Sequence, residues 1–334
     1  LGDATFTCAR CFYTGPLTPD LRFCPRCGLA DVGRVSADGQ PLAVNVGRQS
    51  YQVLDRIAVG SIATVYRSAF SAGSKRVEGI FKIARDARTN DLILNEAQVL
   101  RRLRAVDAEA RFTPFLPIVV ESFPFPDEPP GPARHTNVLR MHDEIRSPAD
   151  ELYTLTEVRE QYPSGLDGRD AAWIWRRLLS VLGFIHTHDV VHAAVLPMHV
   201  LIEPREHKLM LVDWCCAVSG ASADSAPLRL ITGGYTPWYK REGALKQPPT
   251  PALDIALGAR CMIELMGGDP VAAQLAPAVD PALLRYFRRC VETGSSGARP
   301  DAWKLLEDFD RLIEALWGPR EFRVFKMPPK GKLA

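Results

Sequence analysis

Hydrophobic and polar positions first recur in short strand-like runs and then at helical spacing. Tyr51 to Ile57 and Thr64 to Phe70 read as two strands with Gly60 and Ser61 between them, and Gly79 to Ala84 reads as a third, short and apolar. Leu92, Ala97, Leu100 and Leu103 then return at helical spacing from Asp91 to Leu103, so strand, turn, strand, strand, helix predicts a small mixed lobe. Proline is dense between residues 114 and 132, which excludes a central helix and predicts an edge strand with a long loop. From Asp170 to His188 a broad apolar face of Trp173, Trp175, Leu178, Leu179, Leu182 and Ile185 predicts a largely buried helix. Further helices are expected at Leu253 to Met266 and Asp301 to Trp317; Pro300 helps to open the last and Gly318-Pro319 stops it. No internal repeat is visible.

Four of the eight cysteines precede these elements as Cys8-Ala-Arg-Cys11 and Cys24-Pro-Arg-Cys27, with residues 12 to 23 between the pairs. Two thiolates three positions apart on a tight turn grip one side of a tetrahedral ion, and a second such pair completes it, so the spacing points to zinc. Four ligands leave no open coordination position, which makes the expected metal structural. Two disulfides or a redox pair are the alternatives; the first suits a secreted chain and the second a larger α/β unit. A module this short buries too little surface to fold alone, so zinc is expected to supply its folding energy. Residues 1–30 are therefore expected to form a zinc-bound module and residues 31–49 a polar connector. Cys215, Cys216, Cys261 and Cys290 lie apart in apolar surroundings and read as small buried hydrophobes.

Composition narrows the function classes. The chain has 334 residues, 46% hydrophobic and 24% charged, with a formal charge of +2, which suits a globular protein with a sizeable core. Without basic blocks it lacks the clustered charge that nucleic acid requires, so nucleic acid is not the expected partner. No apolar run approaches the roughly 20 residues of a membrane span, and a cytoplasmic location is expected. Arg greatly outnumbers Lys, and with the Ala and Pro content this hints at a GC-rich bacterial genome. The start at Leu1 and the closing Pro-Pro-Lys-Gly-Lys-Leu-Ala, which looks vector-derived, lead us to expect that further domains are missing.

From about residue 50 to 317 the chain resembles a protein kinase, with the motifs in order. Ile57-Ala58-Val59-Gly60-Ser61-Ile62-Ala63-Thr64-Val65-Tyr66 corresponds to the glycine-rich loop, and Lys82 in Gly-Ile-Phe-Lys to the strand lysine. Glu96 in Leu-Asn-Glu-Ala-Gln-Val-Leu matches the helix glutamate that pairs with that lysine. Ile185-His186 through Val191-His192 resembles the approach to the catalytic loop, and Leu211-Val212-Asp213-Trp214-Cys215 the metal-binding Asp-Phe-Gly. Leu253-Asp254-Ile255 is similar to the buried-aspartate helix, although helix capping explains Asp254 as readily, and Arg299 resembles the late arginine that pairs with a glutamate, here Glu242. The first 30 residues resemble the zinc ribbons of bacterial proteins. The resemblance implies an α+β, bilobal protein-kinase-like fold, with a small β-rich N-lobe and a helical C-lobe, preceded by a small zinc ribbon and followed by a tail at residues 318–334.

The departures from the family fall on the chemistry. Where the family carries His-Arg-Asp-x-Lys-Pro-x-Asn, this chain reads His192-Ala193-Ala194-Val195-Leu196-Pro197-Met198-His199. Ala194 thus replaces the carboxylate that accepts the hydroxyl proton, Leu196 the lysine that faces the phosphate, and His199 the asparagine that holds a magnesium ion. Imidazole suits zinc or iron better than magnesium. Ala58 and Ala63 leave only Gly60 of three loop glycines, and Ile80 stands where the family has a small residue against adenine. The expectation is a pseudokinase: a protein-binding, regulatory scaffold with structural zinc and at most weak nucleotide binding through Gly60, Lys82, Glu96 and Asp213. The alternative is an atypical ATP- and metal-using transferase of phosphoryl or nucleotidyl groups that relies on Lys82 and Asp213. The stretch from Leu152 to Trp175, with Val195 to Leu201, is also similar to bacterial kinase-like proteins of stress systems. That likeness implies von Willebrand-type or phosphatase modules as partners, for which Trp238, Tyr239 and Trp303 are candidate anchors, although buried packing is the more ordinary use of each.

Overall fold

The computed structural model describes residues 5–8, 14–16, 42–125, 132–141, 152–220, 227–241, 246–293 and 300–329. The chain divides into two compact units, Leu1–Leu94 with Val119–Arg140, and Asn95–Ile118 with Met141–Ala334.

The first unit opens with a small hairpin, β1 (Thr5–Thr7) against β2 (Thr14–Pro16), in which Thr7 pairs with Thr14. Next come β3 (Leu42–Val46), β4 (Gln49–Val59), β5 (Ala63–Ala72) and β6 (Lys75–Ala84). Helix α1 (Asn90–Val106) follows, its residues from Asn95 on belonging to the second unit, and β7 (Ile118–Phe125) and β8 (Arg134–Arg140) complete a six-stranded sheet of order β3-β4-β5-β6-β8-β7. The three expected strands are present, and β7, which contains Pro124, takes the predicted edge position, where proline is best tolerated. The span expected to be a plain connector contains β3. It pairs residue by residue with β4 from Leu42↔Val53 to Val46↔Gln49 around a turn in which Gly47 has φ +56°.

One face of the sheet is apolar because alternate residues of its strands are large and hydrophobic. Tyr51, Val53, Tyr66, Phe70, Phe81, Ile83, Phe123, Phe125 and Val138 form its core. Tyr51 meets Phe70 edge-on at 5.6 Å, and Phe81 stands perpendicular to Phe125. Each fully buried side chain of this size contributes roughly 1.5–3 kcal/mol.

The second unit is mostly helical. Its elements are β9 (Tyr153–Thr154), α2 (Leu155–Gln161), α3 (Gly168–Thr187), β10 (Val190–Val191), β11 (Val200–Glu203), β12 (Lys208–Leu211), β13 (Val218–Ser219), α4 (Thr236–Arg241), α5 (Pro251–Leu265), α6 (Pro281–Thr293) and α7 (Ala302–Trp317). Strand β11 lies between β12 and β9, and β10 pairs with β13. Helix α3 buries Trp175, Leu178, Leu179, Leu182 and Ile185 as its face predicted. Two glycines let neighbours approach it. A Cβ on Gly258 of α5 would sit 3.1 Å from both Leu178 and Trp175, and one on Gly183 would reach 2.5 Å from the Trp303 ring. Asp301 caps α7 by accepting from the Trp303 and Lys304 N–H groups, and Gly318 with φ +80° ends it.

Beyond α7, residues 318–329 run without helix or strand yet remain packed on this unit. Phe325 is buried beside Tyr162 and Trp173, Arg323 Nε is 2.7 Å from Asp170 Oδ1, and Tyr153 donates to the Pro328 carbonyl at 2.7 Å. His207 lies between the rings of Trp173 and Phe322, stacked at 4.3 and 4.4 Å. Among the described residues no helix is long and apolar enough to cross a membrane.

Candidate functional site

The loop from His192 to His199 joins β10 to β11, and its shape is set by one carboxylate. Asp254, in the first turn of α5 and fully buried, accepts the His192 N–H at 2.8 Å on Oδ2 and the Ala193 N–H at 2.7 Å on Oδ1. The His186 Nε2–H, at the end of α3, donates to Oδ2 at 3.0 Å. Of the two readings of Asp254, the fold selects the buried brace, and Thr250 is the residue at the N-cap. Ala193 sits at φ +62°, a left-handed conformation that costs a non-glycine residue about 1–2 kcal/mol. It is held there from both sides, because its carbonyl accepts from the Tyr239 hydroxyl at 3.1 Å.

His192 spends both ring nitrogens on backbone. Its Nε2–H donates to the Val212 carbonyl at 3.1 Å, and its Nδ1 accepts the Ala194 N–H at 3.2 Å. Only the neutral ring satisfies both bonds. Burial agrees with this, pushing the imidazole pKa down from 6.5 to about 4. Ala194, matched in sequence to the position of the family's carboxylate, therefore has a fixed backbone and presents a buried methyl group.

His199 and Asp213 meet at the far end of this loop. The His199 Nδ1 lies 2.8 Å from the Ala194 carbonyl, and its Nε2 lies 3.3 Å from Asp213 Oδ2. A carbonyl only accepts, so Nδ1 carries a proton, and Nε2 faces a carboxylate that also only accepts. A doubly protonated imidazole satisfies both contacts, and so does a cation held between Nε2 and the carboxylate. In the second case the Nδ1–H bond to a backbone carbonyl is the usual outer support of a metal-bound histidine.

Asp213 itself has φ +63° and directs the chain away from β12. The backbone beyond it is held by α1. Glu96, buried, accepts the Trp214 N–H at 3.1 Å, and Asn95 Nδ2 donates to the carbonyls of Cys215 at 3.3 Å and Ala217 at 2.8 Å. Ligand atoms of Glu96, Asp213 and Cys215 lie within 4.8 Å of one another, a mixed oxygen and sulfur set suited to a transition metal more than to magnesium. Sequence reasoning treated Cys215 as packing alone and did not single out Asn95. The helical pattern gave no signal that Asn95 would turn towards the 215–217 backbone.

Glu96 and Asp213 thus come together in the second unit, whereas Gly60 and Lys82 belong to the first. Lys82 is buried on β6, opposite Val65 of β5 and Asn137 of β8. At the glycine-loop turn the Gly60 N–H donates to the Ala63 carbonyl at 2.9 Å, and Arg85 Nη1 donates to the Gly60 carbonyl at 3.0 Å. A Cβ on Gly60 would meet only the Ala63 carbonyl, at 3.5 Å, an ordinary contact, so the turn itself does not demand glycine.

Of the four proposed zinc ligands, Cys8 is described and buried. It directly follows β1. Cys11, Cys24 and Cys27 lie outside the described residues, as do Arg299 and Glu242. Trp238 and Tyr239 are buried, which removes them as exposed anchors, and Trp303 is half-buried against Phe112.

No family model matches the chain. Among solved structures it is similar to one described as "Crystal structure of BubR1 kinase domain", with a TM-score of 0.59 and 13% sequence identity over 83% of this chain and 84% of that chain. A likeness at that identity speaks for architecture rather than activity. The chain has a protein-kinase-like fold.

Proposed function

We propose that this chain is a pseudokinase, a kinase-shaped module that binds and regulates a protein partner without transferring phosphate. One observation carries the reading: the loop that corresponds to the catalytic loop is rigidly built, yet Ala194 stands at the place of the proton-accepting carboxylate. Loss of such a base costs about 10²–10⁴ in rate. His199, already engaged with Asp213, further removes the oxygen ligand that magnesium prefers. The four-cysteine module is read as a structural zinc ribbon on its paired spacing, with Cys8 buried directly after β1. The partner is read as a protein of a bacterial stress system, of von Willebrand or phosphatase type, on the sequence likeness alone.

A second reading is supported by the Glu96, Asp213 and Cys215 cluster. An atypical ATP-using transferase would use Asp213 with a softer metal and Lys82 on the phosphates. Incubation of the purified chain with labelled ATP, a general protein acceptor and magnesium, manganese or zinc separates the two. The pseudokinase reading expects no label on acceptor or chain beyond that of the Lys82→Ala variant. Transfer that Lys82→Ala abolishes would replace it with the transferase.

A further inference from the structure

We infer that residues 318–329 form a proton-sensitive strap, closed over Trp173 and Tyr162 while His207 is neutral and released when His207 is protonated. The device lies within the second unit and uses none of the residues of the site described above.

Two kinds of contact hold the strap. Phe325 is buried against Tyr162 and Trp173, the Lys326 and Pro328 carbonyls accept from the Tyr162 and Tyr153 hydroxyls, and Arg323 pairs with Asp170. Phenols, carboxylates and guanidinium groups ordinarily keep one charge state between pH 5 and 7.5. The other contact differs. Phe322, 65% exposed, stacks on one face of His207 at 4.4 Å, and the other face of that imidazole lies on Trp173 at 4.3 Å. Imidazole changes charge within this range, so the strap rests on a titrating group.

The packing around His207 favours the neutral ring. Its Nε2 is sealed from water and has no hydrogen-bond partner among the described residues. A neutral imidazole can leave that nitrogen as a bare acceptor, whereas the protonated ring would carry a charged N–H with nothing to receive it, which costs more. The ring stacked on it gives no help, because the Trp173 indole nitrogen is likewise sealed without a partner and only donates.

Charged groups face the ring from each element packed on it. Asp170 of α3 and Glu203 of β11 favour its proton, as does a hydrogen bond to the Arg323 backbone, and Arg177 of α3 opposes it. On the ring's own turn Arg205 pairs with Glu203 and Lys208 with Glu206, and on the strap Arg320 pairs with Asp310. Burial outweighs the favourable charges and pushes the imidazole pKa below 6.5. Opening the strap uncovers the face under Phe322 and returns the ring towards its ordinary value. The closed form therefore has its full advantage above pH 6.5 and loses it as pH falls below, so acid releases the strap and bares Trp173 and Tyr162.

Hydrogen–deuterium exchange of the intact chain at pH 7.5 and pH 5, corrected for the intrinsic pH dependence of exchange, tests this. The strap, residues 320–328, is expected to lose protection by about fivefold or more at pH 5, and to be less protected than α5 at both values. Two variants remove the titrating ring and should show equal strap protection at both values. His207→Phe keeps the stack, and His207→Asn suits the left-handed backbone at this position, φ +55°, so at least one should fold. Strap protection that does not change with pH in the natural chain, or the same acid loss in either variant, would overturn the inference. Strap protection equal to that of α5 throughout would overturn it as well, because the strap would then open only with the whole unit.

Discussion

His199 Nε2 stands 3.3 Å from Asp213 Oδ2, a carboxylate that the sequence resemblance matches to the magnesium-binding aspartate of protein kinases. The imidazole is fixed from behind by the Ala194 carbonyl, so it cannot swing away without breaking a second bond. Magnesium should therefore add nothing to any thermal shift that ATP produces in the natural chain. In His199→Asn the oxygen ligand returns, and magnesium is expected to raise the ATP-induced shift measurably. Equal magnesium response in both proteins would count against the role given to this pair.

Restoring the missing carboxylate alone should not restore phosphate transfer. Ala194→Asp is expected to leave labelled-ATP transfer at background, because Leu196 and His199 still lack the family's lysine and asparagine. The new carboxylate enters a buried position, so the variant should lose about 1–3 kcal/mol of stability in chemical denaturation.

Asp254→Ala tests the brace. It strands the His192 and Ala193 N–H groups and the His186 Nε2–H in the interior. Bonds to a charged acceptor contribute about 1.5–3 kcal/mol each and are coupled here, so a loss of about 3 kcal/mol or more is expected. A lowered denaturation midpoint with unchanged slope is the readout. A loss under 1 kcal/mol (about the value of one neutral hydrogen bond) would remove Asp254 from this role.

His192 gives acid sensitivity a definite sign. Its pKa falls from 6.5 to about 4 on folding because burial excludes the charged ring. Below pH 6.5 the unfolded chain takes up the proton first, so this contribution is fully present above that pH and is lost as pH falls towards 4. The slope is about 1.4 kcal/mol per pH unit, about 3 kcal/mol over the whole window. Urea titrations from pH 7 to 4.5 on the natural chain and His192→Asn should differ by that slope.

Metal analysis of the purified chain should find one zinc, and Cys8→Ser with Cys11→Ser should abolish it. Stripping zinc with a chelator should expose the first 30 residues to proteolysis while the kinase-like units keep their melting transition. Absence of zinc in freshly purified protein would return the cysteines to the disulfide or redox alternatives.

Where packing follows a repeating pattern, the fold was legible. The face of α3, the edge position of β7 and the ends of α7 at Asp301 and Gly318 all match the residue spacing. Strand β8 escaped because its sequence, Arg-His-Thr-Asn-Val-Leu-Arg, is polar. Its Asn137 is nonetheless buried, accepting from Ser122 and donating to the Ile93 carbonyl at 2.7 Å each. Helix α6 was missed although Asp280 and Pro281 mark its start, with Asp280 accepting the Ala282 N–H. The motif residues were readable by position, whereas the embrace of Asp213 by His199 and the hold of Asn95 on the 215–217 backbone depend on contacts between distant segments.

The packed residues after α7 have a practical consequence. A boundary drawn at Trp317, where the helical pattern stops, would strip the lid from Trp173 and Tyr162 and leave an oily, sticky scar. Truncated versions ending there would be expected to self-associate, and binding data collected on them would report that artificial surface as though it were a natural one.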